Sequence, residues 1–135
     1  MRLLLDTNTL SYILKNRFPV NHRMSEAVRG GATFLLCAVV HYELRRYLVL
    51  KGSHSVLRLY DGLIQSWERC ELSFQDWEDA ASLWADRHRV GNSISDMDLL
   101  LAVAARKEKA ILVTSNVRHF EGLGLPLQDW MNRAT

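Results

Sequence analysis

Short apolar runs alternate along the chain with longer stretches whose apolar residues recur every three or four positions. The runs Leu3–Leu5, Phe34–Ala38 and Ala110–Thr114 have the length and continuity of strands that are buried on both faces of a sheet. A weaker strand is predicted at Arg69–Leu72, and Leu127–Met131 is expected to add a short edge strand or a terminal turn. Because strands that alternate with helices form parallel sheets covered on both faces, the pattern predicts an α/β protein.

The stretches between these runs predict amphipathic helices, which are bounded by Pro19, by Gly30-Gly31 and by Gly52. No linker, repeat or low-complexity segment divides the chain, so residues 1–135 are expected to form one domain. The first three predicted helices run from Thr7 or Asn8 to before Pro19, from Arg23 to Val28 and from Val40 to Lys51. A fourth helix carries Val56, Leu59, Leu63, Ile64 and Trp67, and a fifth begins at Ser73 or Asp76 and carries Trp77, Ala80, Ala81 and Trp84. The sixth begins at the Ser95 cap and ends at about Lys109.

The composition is that of an ordinary globular protein, with 135 residues, 24% charged residues and 48% hydrophobic residues. A net charge of +2 is too small to indicate a nucleic-acid binder by itself. Two local groups of basic residues are either solvated helix faces or RNA contacts, and the sequence leaves both interpretations open. These groups are Arg45, Arg46, Lys51 and Arg58, and Arg87, His88 and Arg89.

The cysteines and the apolar runs indicate the compartment. Cys37 and Cys70 both lie in apolar stretches and are expected to be small core residues in a reducing compartment. The N-terminal apolar run is too short for a signal peptide, and no run approaches the roughly 20 apolar residues that span a bilayer. The sequence therefore predicts a cytoplasmic protein with no membrane association.

Three acidic residues stand where the predicted fold could bring them together. Asp6 follows the first strand, Glu43 lies in the first turns of the helix after the second strand, and Asp98 begins an apolar helix. In an open parallel sheet, the carboxyl ends of the strands share one edge. Carboxylates about 5 Å apart repel by roughly 3 kcal/mol per pair at an effective dielectric near 20, and a hard divalent cation relieves this repulsion. The acids predict metal-dependent phosphodiester chemistry, although each could also serve only as an early-helix residue.

Other polar residues are expected at the same edge of the sheet. Asn8 could orient a carboxylate or a water molecule, and Thr114-Ser115-Asn116 adds hydroxyl and amide groups where the last long strand ends. Asp96 competes with Asp98, because residues two apart cannot share one helix face. Asp98 lies closer to the apolar stripe and needs a partner, whereas Asp96 can remain solvated.

Histidine and tryptophan residues are expected to have packing or surface roles. His41 and His119 lie near the proposed edge, and a surface or packing role is favoured for both. The tryptophans sit among apolar positions, which favours packing in the core or at an interface over base stacking. They are Trp67, Trp77, Trp84 and Trp130.

Several short phrases together resemble the PIN domain family, and within it the VapC-type ribonuclease toxins of bacterial toxin–antitoxin pairs. The resemblance covers essentially the whole chain, including Leu127–Trp130. Each phrase is short, but their order and spacing together are fairly specific. The phrases are Leu3–Asn8, Tyr42–Leu44, Asp98–Ala102, Leu112–Asn116 and His119-Phe120.

The resemblance implies a fold and an activity. The fold would be a three-layer α/β/α domain with a central parallel sheet of four or five strands, filling residues 1–135. The activity would be that of an endoribonuclease dependent on Mg²⁺, or Mn²⁺, with Asp6, Glu43 and Asp98 as catalytic acids and Asp6 and Asp98 as metal ligands. Many members have a fourth acid where this chain has Asn116, so the choice between one metal ion and two stays open. Thr114 and Ser115 would stand near the metal or the scissile phosphate.

The resemblance also implies partners, namely an RNA substrate, a cognate antitoxin protein and a second copy of the chain. The residues themselves favour a homodimer. The helices around Leu44–Leu48 and Val56–Ile64 carry more apolar surface than one small domain readily covers.

Two alternatives remain open at this point. A haloacid-dehalogenase-type phosphohydrolase would share a strand-then-Asp start and a later strand ending in Thr or Ser. However, position 8 is Asn where that family has an acidic residue, and Asp96 and Asp98 precede the Thr114 strand that they should follow. A non-catalytic RNA-binding or partner-binding module is the other alternative, although it would keep three mutually repelling acids without using them.

Overall fold

The computed structural model describes residues 1–132, which form one five-stranded sheet and seven helices. The strands are β1 (Arg2–Leu5), β2 (Thr33–Cys37), β3 (Glu68–Cys70), β4 (Ile111–Val113) and β5 (Leu127–Gln128). The helices are α1 (Thr7–Leu14), α2 (Val20–Arg29), α3 (Ala38–Leu50), α4 (His54–Ile64), α5 (Phe74–Arg89), α6 (Asp96–Lys107) and α7 (Val117–Phe120).

The sheet is parallel throughout, with the strand order β3-β2-β1-β4-β5. The chain moves outward from β1 to β3, then crosses back to place β4 on the other side of β1. Since such crossovers are right-handed, α1–α4 cover one face and α5–α7 cover the other. The predicted three-layer α/β/α architecture is confirmed, with five strands rather than four.

The core is built on β1 and its two neighbours. Leu4 lies opposite Leu35 of β2 and Leu112 of β4, and all three side chains are at most 1% exposed. Burying a leucine side chain in this way stabilises the fold by about 1.5–3 kcal/mol. The buried central strand explains why Leu3–Leu5 reads as an uninterrupted apolar run, and it fixes the position of the residue that follows, Asp6.

The boundaries of α2 and α4 differ from the sequence prediction. Helix α2 begins at Val20 rather than Arg23, because Val20 and Met24, one turn apart, are both buried. Helix α4 ends at Ile64, and Leu59 is 57% exposed rather than part of the buried stripe. Tyr60 takes the buried position of that turn, which fits helical spacing equally well because Tyr60 and Ile64 are four residues apart.

Trp67 and Trp130 are buried, which confirms core packing for both, whereas Trp77 and Trp84 are 51% and 43% exposed, so for these two packing at an interface stays a prediction. In the N-terminal turn of α5, Asp76 closes a capping box with Ser73, and it forms an ion pair at 2.7 Å with Lys107 of α6. Asp76 and Ala80, one turn further along, are the buried residues of α5, so this side faces inwards and the tryptophans stay partly exposed.

Cys37 and Cys70 are buried, free, and opposite one another in β2 and β3, which confirms them as small core residues. Burial raises the pKa of both thiols, that of Cys70 to about 12. None of the helices in residues 1–132 has both the length and the apolar character that a bilayer crossing demands.

Candidate functional site

The strand order reverses between β1 and β4, and Asp6 lies where this reversal meets the carboxyl ends of the strands. The two strands remain joined there, because the Asp6 amide donates a hydrogen bond to the Val113 carbonyl at 3.0 Å. Open parallel sheets bind ligands at such a switch point. A cavity of about 870 Å³ opens at this position, and Asp6, Glu43 and Asp98 all line it. The structure thus brings together three acids that are 37 and 55 residues apart in the sequence.

Asp6 is the most buried of these acids, with 7% of its surface exposed. It is the N-cap of α1, where its Oδ1 accepts a hydrogen bond from the Thr9 amide at 2.8 Å. Burial raises its pKa above the ordinary 3.8; hydrogen bonds from Thr114 and Thr9 oppose that rise, and the negative charge of Asp98 adds to it. The ionised carboxylate is therefore held in an unfavourable place that a nearby cation would make favourable.

Glu43 reaches the cavity from the second turn of α3. Its Oε1 accepts a hydrogen bond from the hydroxyl of Thr7, the first residue of α1. Thr7 follows Asp6 directly, so the same turn of chain orients one acid through its own cap and a second acid through this hydroxyl. Sequence reasoning gave Thr7 no such role. The signal was its place in Asp6-Thr7-Asn8-Thr9, where every side chain has a polar oxygen.

Asp98 lies in the first turn of α6, which Ser95 caps as predicted by accepting a hydrogen bond from the Asp98 amide at 3.3 Å. The carboxylate is half-buried, and its Oδ2 lies 3.0 Å from Nδ1 of His119 in α7. The expectation that His119 has a surface or packing role is incomplete. The imidazole is exposed, yet it contacts an acid of the cavity.

The supporting residues separate into three groups. Asn8 and Asn116 line the cavity with the acids. Thr114 is fully buried and contacts two residues of the site, since its hydroxyl hydrogen-bonds to Asp6 and accepts a hydrogen bond from the Asn116 amide at 3.0 Å. Ser115 and Asp96 do not line the cavity, and Asp96 is exposed on α6. The structure therefore places Asp98 rather than Asp96 beside the other acids.

Two basic side chains, Lys15 and Arg46, line the same cavity as the acids. The Arg46 guanidinium lies over the ring of Tyr42, 5.0 Å from its centroid, which limits the positions open to it. Arg46 belongs to a basic group that the sequence singled out, whereas Lys15 was missed. Lys15 shares a helical face with Asn8 and Ser11, which also line the cavity, and this spacing was the available signal.

The donor set of the cavity suits a hard divalent cation. Its ligating groups are carboxylate, amide and hydroxyl oxygens, which Mg²⁺ and Mn²⁺ prefer, and there is no thiolate or imidazole among the lining residues. The acids do not form a finished cluster, since among residues 1–132 no three His, Cys, Asp or Glu side chains are grouped closely enough to hold a metal ion. Glu43 and Asp98 are instead held by Thr7 and His119.

The sequence matches the PIN domain family over residues 3–123. The chain therefore belongs to the PIN domain family, whose members are nucleases. This membership favours the nuclease prediction over a dehalogenase-type phosphohydrolase. A comparison with curated protein sequences gives no match.

Solved structures show the same fold. VapBC2 from Rickettsia felis, bound to a DNA fragment from its promoter, contains a chain with a TM-score of 0.84 and 24% identity, covering 96% of this chain and 99% of that one. A chain of VapBC-1 from nontypeable Haemophilus influenzae has a TM-score of 0.82 and 24% identity, covering 98% of this chain and 100% of that one. A chain of DNA-bound VapBC from Salmonella typhimurium has a TM-score of 0.77 and 22% identity, covering 96% of this chain and 98% of that one.

Proposed function

We propose that this protein is a metal-dependent endoribonuclease and the toxin of a VapBC-type toxin–antitoxin pair. One observation carries the proposal. Asp6, Glu43 and Asp98, from three separate elements, line one cavity at the switch point of a PIN-domain sheet. Burial is the main cause that raises the pKa of Asp6, and the negative charge of Asp98 adds to it, so a nearby cation would stabilise the ionised acid. A binding module with no metal chemistry would have no use for such an arrangement.

Asp6 and Asp98 would hold Mg²⁺, or Mn²⁺, with Glu43 completing the acidic set. When bound, such a cation supplies charge that activates water and offsets the negative charge developing on the phosphate. The residues of the chain hold the acids in place. Thr9 and Thr114 fix Asp6, and Thr7 fixes Glu43. Asn8 and Asn116 offer amide groups to orient a water molecule or a phosphate oxygen.

The basic residues of the cavity support a nucleic-acid substrate. Lys15 and Arg46 would contact phosphates that flank the scissile bond, because the acids alone would repel a polyanion. The guanidinium of Arg46 can bind a phosphate through two donors, and its place over Tyr42 reduces the conformational freedom it loses on binding. RNA is proposed rather than DNA because the family resemblance is to ribonuclease toxins.

Two protein partners belong to the proposal. The similar solved chains come from VapBC complexes, which supports a cognate antitoxin for this chain. A second copy of the chain is supported by exposed apolar side chains on α3 and α4, including Leu50 at 83% exposure and Leu59 at 57%. The toxin would act in the cytoplasm, where RNA and the antitoxin are made.

The test is cleavage of end-labelled RNA by the purified protein with Mg²⁺, with Mn²⁺ and with EDTA. Cleavage should require the divalent ion and should be lost in Asp6→Asn and Asp98→Asn. Each variant removes a charge from the cavity while keeping the shape of the side chain. Nearly all activity should be lost in both variants, since each removes a group proposed to bind the cation directly.

Asp96→Asn is the matched comparison. It makes the same change two residues from Asp98, at an exposed position outside the cavity, and should keep its activity. Full activity of Asp6→Asn and Asp98→Asn would refute the assignment of the acids. Cleavage of a chromogenic phosphate ester without cleavage of RNA would favour the phosphohydrolase. Binding of RNA without any cleavage would favour the non-catalytic module.

A further inference from the structure

The contact between His119 and Asp98 joins the last short helix to the proposed metal-binding acids. Nδ1 of His119 lies 3.0 Å from Oδ2 of Asp98, and within residues 1–132 His119 is the one side chain hydrogen-bonded to this carboxylate. The Asp98 amide bonds to the Ser95 cap instead, which fixes the backbone but leaves the side chain free to turn. The direction in which the carboxylate points therefore depends on His119.

Helix α7 holds His119 in position. Its last residue, Phe120, is 2% exposed, so it anchors the turn in the core. The His119 amide also donates to the carbonyl of Asn116 at 3.0 Å, and Asn116 itself lines the cavity. The imidazole is exposed, so the interaction with Asp98 does not serve to fill space in the core. An exposed side chain presented by an anchored turn towards a carboxylate suits an orienting role.

We infer that His119 is a positioning residue, whose Nδ1–H donates to Oδ2 of Asp98 and leaves Oδ1 of that carboxylate to bind the divalent cation. The inference rests on the proposed metal-dependent function and assigns it a residue beyond the acids. Partners that orient a ligand in this way commonly change metal affinity by 10–100-fold when removed. His119 itself does not line the cavity, so the role assigned to it is to act through Asp98.

The test measures Mn²⁺ affinity by calorimetry, in the absence of RNA, for the unmodified protein and for three variants. His119→Ala removes the donor and should weaken Mn²⁺ binding about tenfold. His119→Asn places an amide nitrogen near the position of Nδ1 and should restore most of the affinity. His22→Ala is the matched control, because His22 makes a comparable contact with Glu26 at 3.3 Å on α2, outside the cavity. It should bind Mn²⁺ like the unmodified protein.

A spectroscopic measurement checks the hydrogen bond without metal. Nitrogen-15 NMR of the imidazole rings should show His119 held with its proton on Nδ1 when the ring is neutral, and Asp98→Asn should weaken that preference. Since His119 is exposed, the alanine variant should fold, and its circular dichroism should match that of the unmodified protein.

The outcomes separate this inference from the proposed function. Unchanged Mn²⁺ affinity in His119→Ala, with Asp98→Asn still defective, would overturn the role of His119 and leave the nuclease proposal intact. Failure of His119→Asn to restore affinity would overturn it as well, because it would show that the ring rather than its donor matters. Absence of Mn²⁺ binding by the unmodified protein would overturn both proposals.

Discussion

The hydroxyl of Thr7 donates a hydrogen bond to the carboxylate of Glu43, and this contact joins the start of α1 to α3. Thr7 is the residue directly after Asp6, so the turn that caps α1 through Asp6 also orients Glu43. Two of the three acids in the cavity therefore depend on the conformation of one short segment. A substitution at position 7 is therefore expected to change the orientation of both Asp6 and Glu43.

Thr7→Val removes the hydroxyl and keeps the shape of the side chain. Its loss leaves a half-buried carboxylate without its donor, so RNA cleavage should fall about tenfold and the free energy of unfolding by about 1 kcal/mol. Thr7→Ser keeps the hydroxyl and should retain most of the activity. Single-turnover cleavage and urea unfolding measure the two effects. Equal activity in the valine and serine variants would contradict this role of the hydroxyl.

Asp6→Asn should make the protein more stable at neutral pH. Burial raises the pKa of Asp6, so the folded state binds a proton more tightly than the unfolded chain does. The stabilisation of the folded state by protonated Asp6 is therefore fully present below the ordinary pKa of 3.8, and it is lost as the pH rises through the raised pKa. Asparagine keeps an N-cap oxygen without the charge, so the Tm at pH 7 in the absence of divalent metal should rise.

Asp76→Asn is the control, because its expected effect on stability at pH 7 is opposite to that of Asp6→Asn. A hydrogen bond from Lys107 holds the pKa of Asp76 below its ordinary range, so its stabilising contribution is present above pH 3.8 and lost as the pH falls through the lowered value. The asparagine variant should therefore unfold at a lower temperature than the unmodified protein at pH 7. Differential scanning calorimetry at pH 7 compares the two variants. A lower Tm for Asp6→Asn would contradict the proposed cost of its charge.

The parts of the fold that sequence predicts are those in which local pattern and burial agree. Leu3–Leu5 and Ala110–Thr114 read as buried strands because both faces of the sheet are covered, and β1 and β4 lie at its centre. The buried side of α5 could not be predicted in this way, because Trp77 and Trp84 have helical spacing and yet Asp76 and Ala80 are the buried residues. Helical spacing alone does not say which of two faces is buried.

The candidate site divides in the same way. Asp6 and Asp98 were predictable because each follows or begins an apolar element whose place in the sheet is fixed. The contacts of Thr7 with Glu43 and of His119 with Asp98 were not, since they join residues 36 and 21 positions apart through side-chain geometry. Such partners follow from how the helices α3, α6 and α7 are positioned around the sheet, which no local pattern contains.

The basic residues of the cavity should govern RNA affinity more than the rate of the chemical step. The double variant Lys15→Gln, Arg46→Gln should bind RNA at least tenfold more weakly, because it removes two cations from the cavity that would receive the phosphates. The slope of log affinity against log salt should fall by about 1.4, since each single-strand phosphate contact contributes roughly 0.7. Fluorescence anisotropy at several salt concentrations, with Ca²⁺ in place of Mg²⁺, measures both.

Arg58→Gln removes one positive charge outside the cavity, so its effect is compared with half the effect of the double variant. Arg58 is exposed on α4 and does not line the cavity. Its variant should leave the salt dependence nearly unchanged. An equal effect of Arg58→Gln would indicate that RNA binds over a broad basic surface rather than in the cavity.

Leu59→Glu should convert the proposed homodimer into a monomer. Leu59 is 57% exposed on α4, which packs against α3, where Val49 and Leu50 are 60% and 83% exposed. Burying such a leucine against a second copy would contribute about 1.5–3 kcal/mol, whereas a glutamate would have to lose its hydration there.

Val90→Glu makes the same kind of change at a 74% exposed position beside α5 and should leave the dimer intact. Sedimentation velocity at micromolar concentration distinguishes the two. Dissociation by Val90→Glu but not by Leu59→Glu would move the interface to the C-terminal end of α5, and a monomeric unmodified protein would contradict the dimer itself.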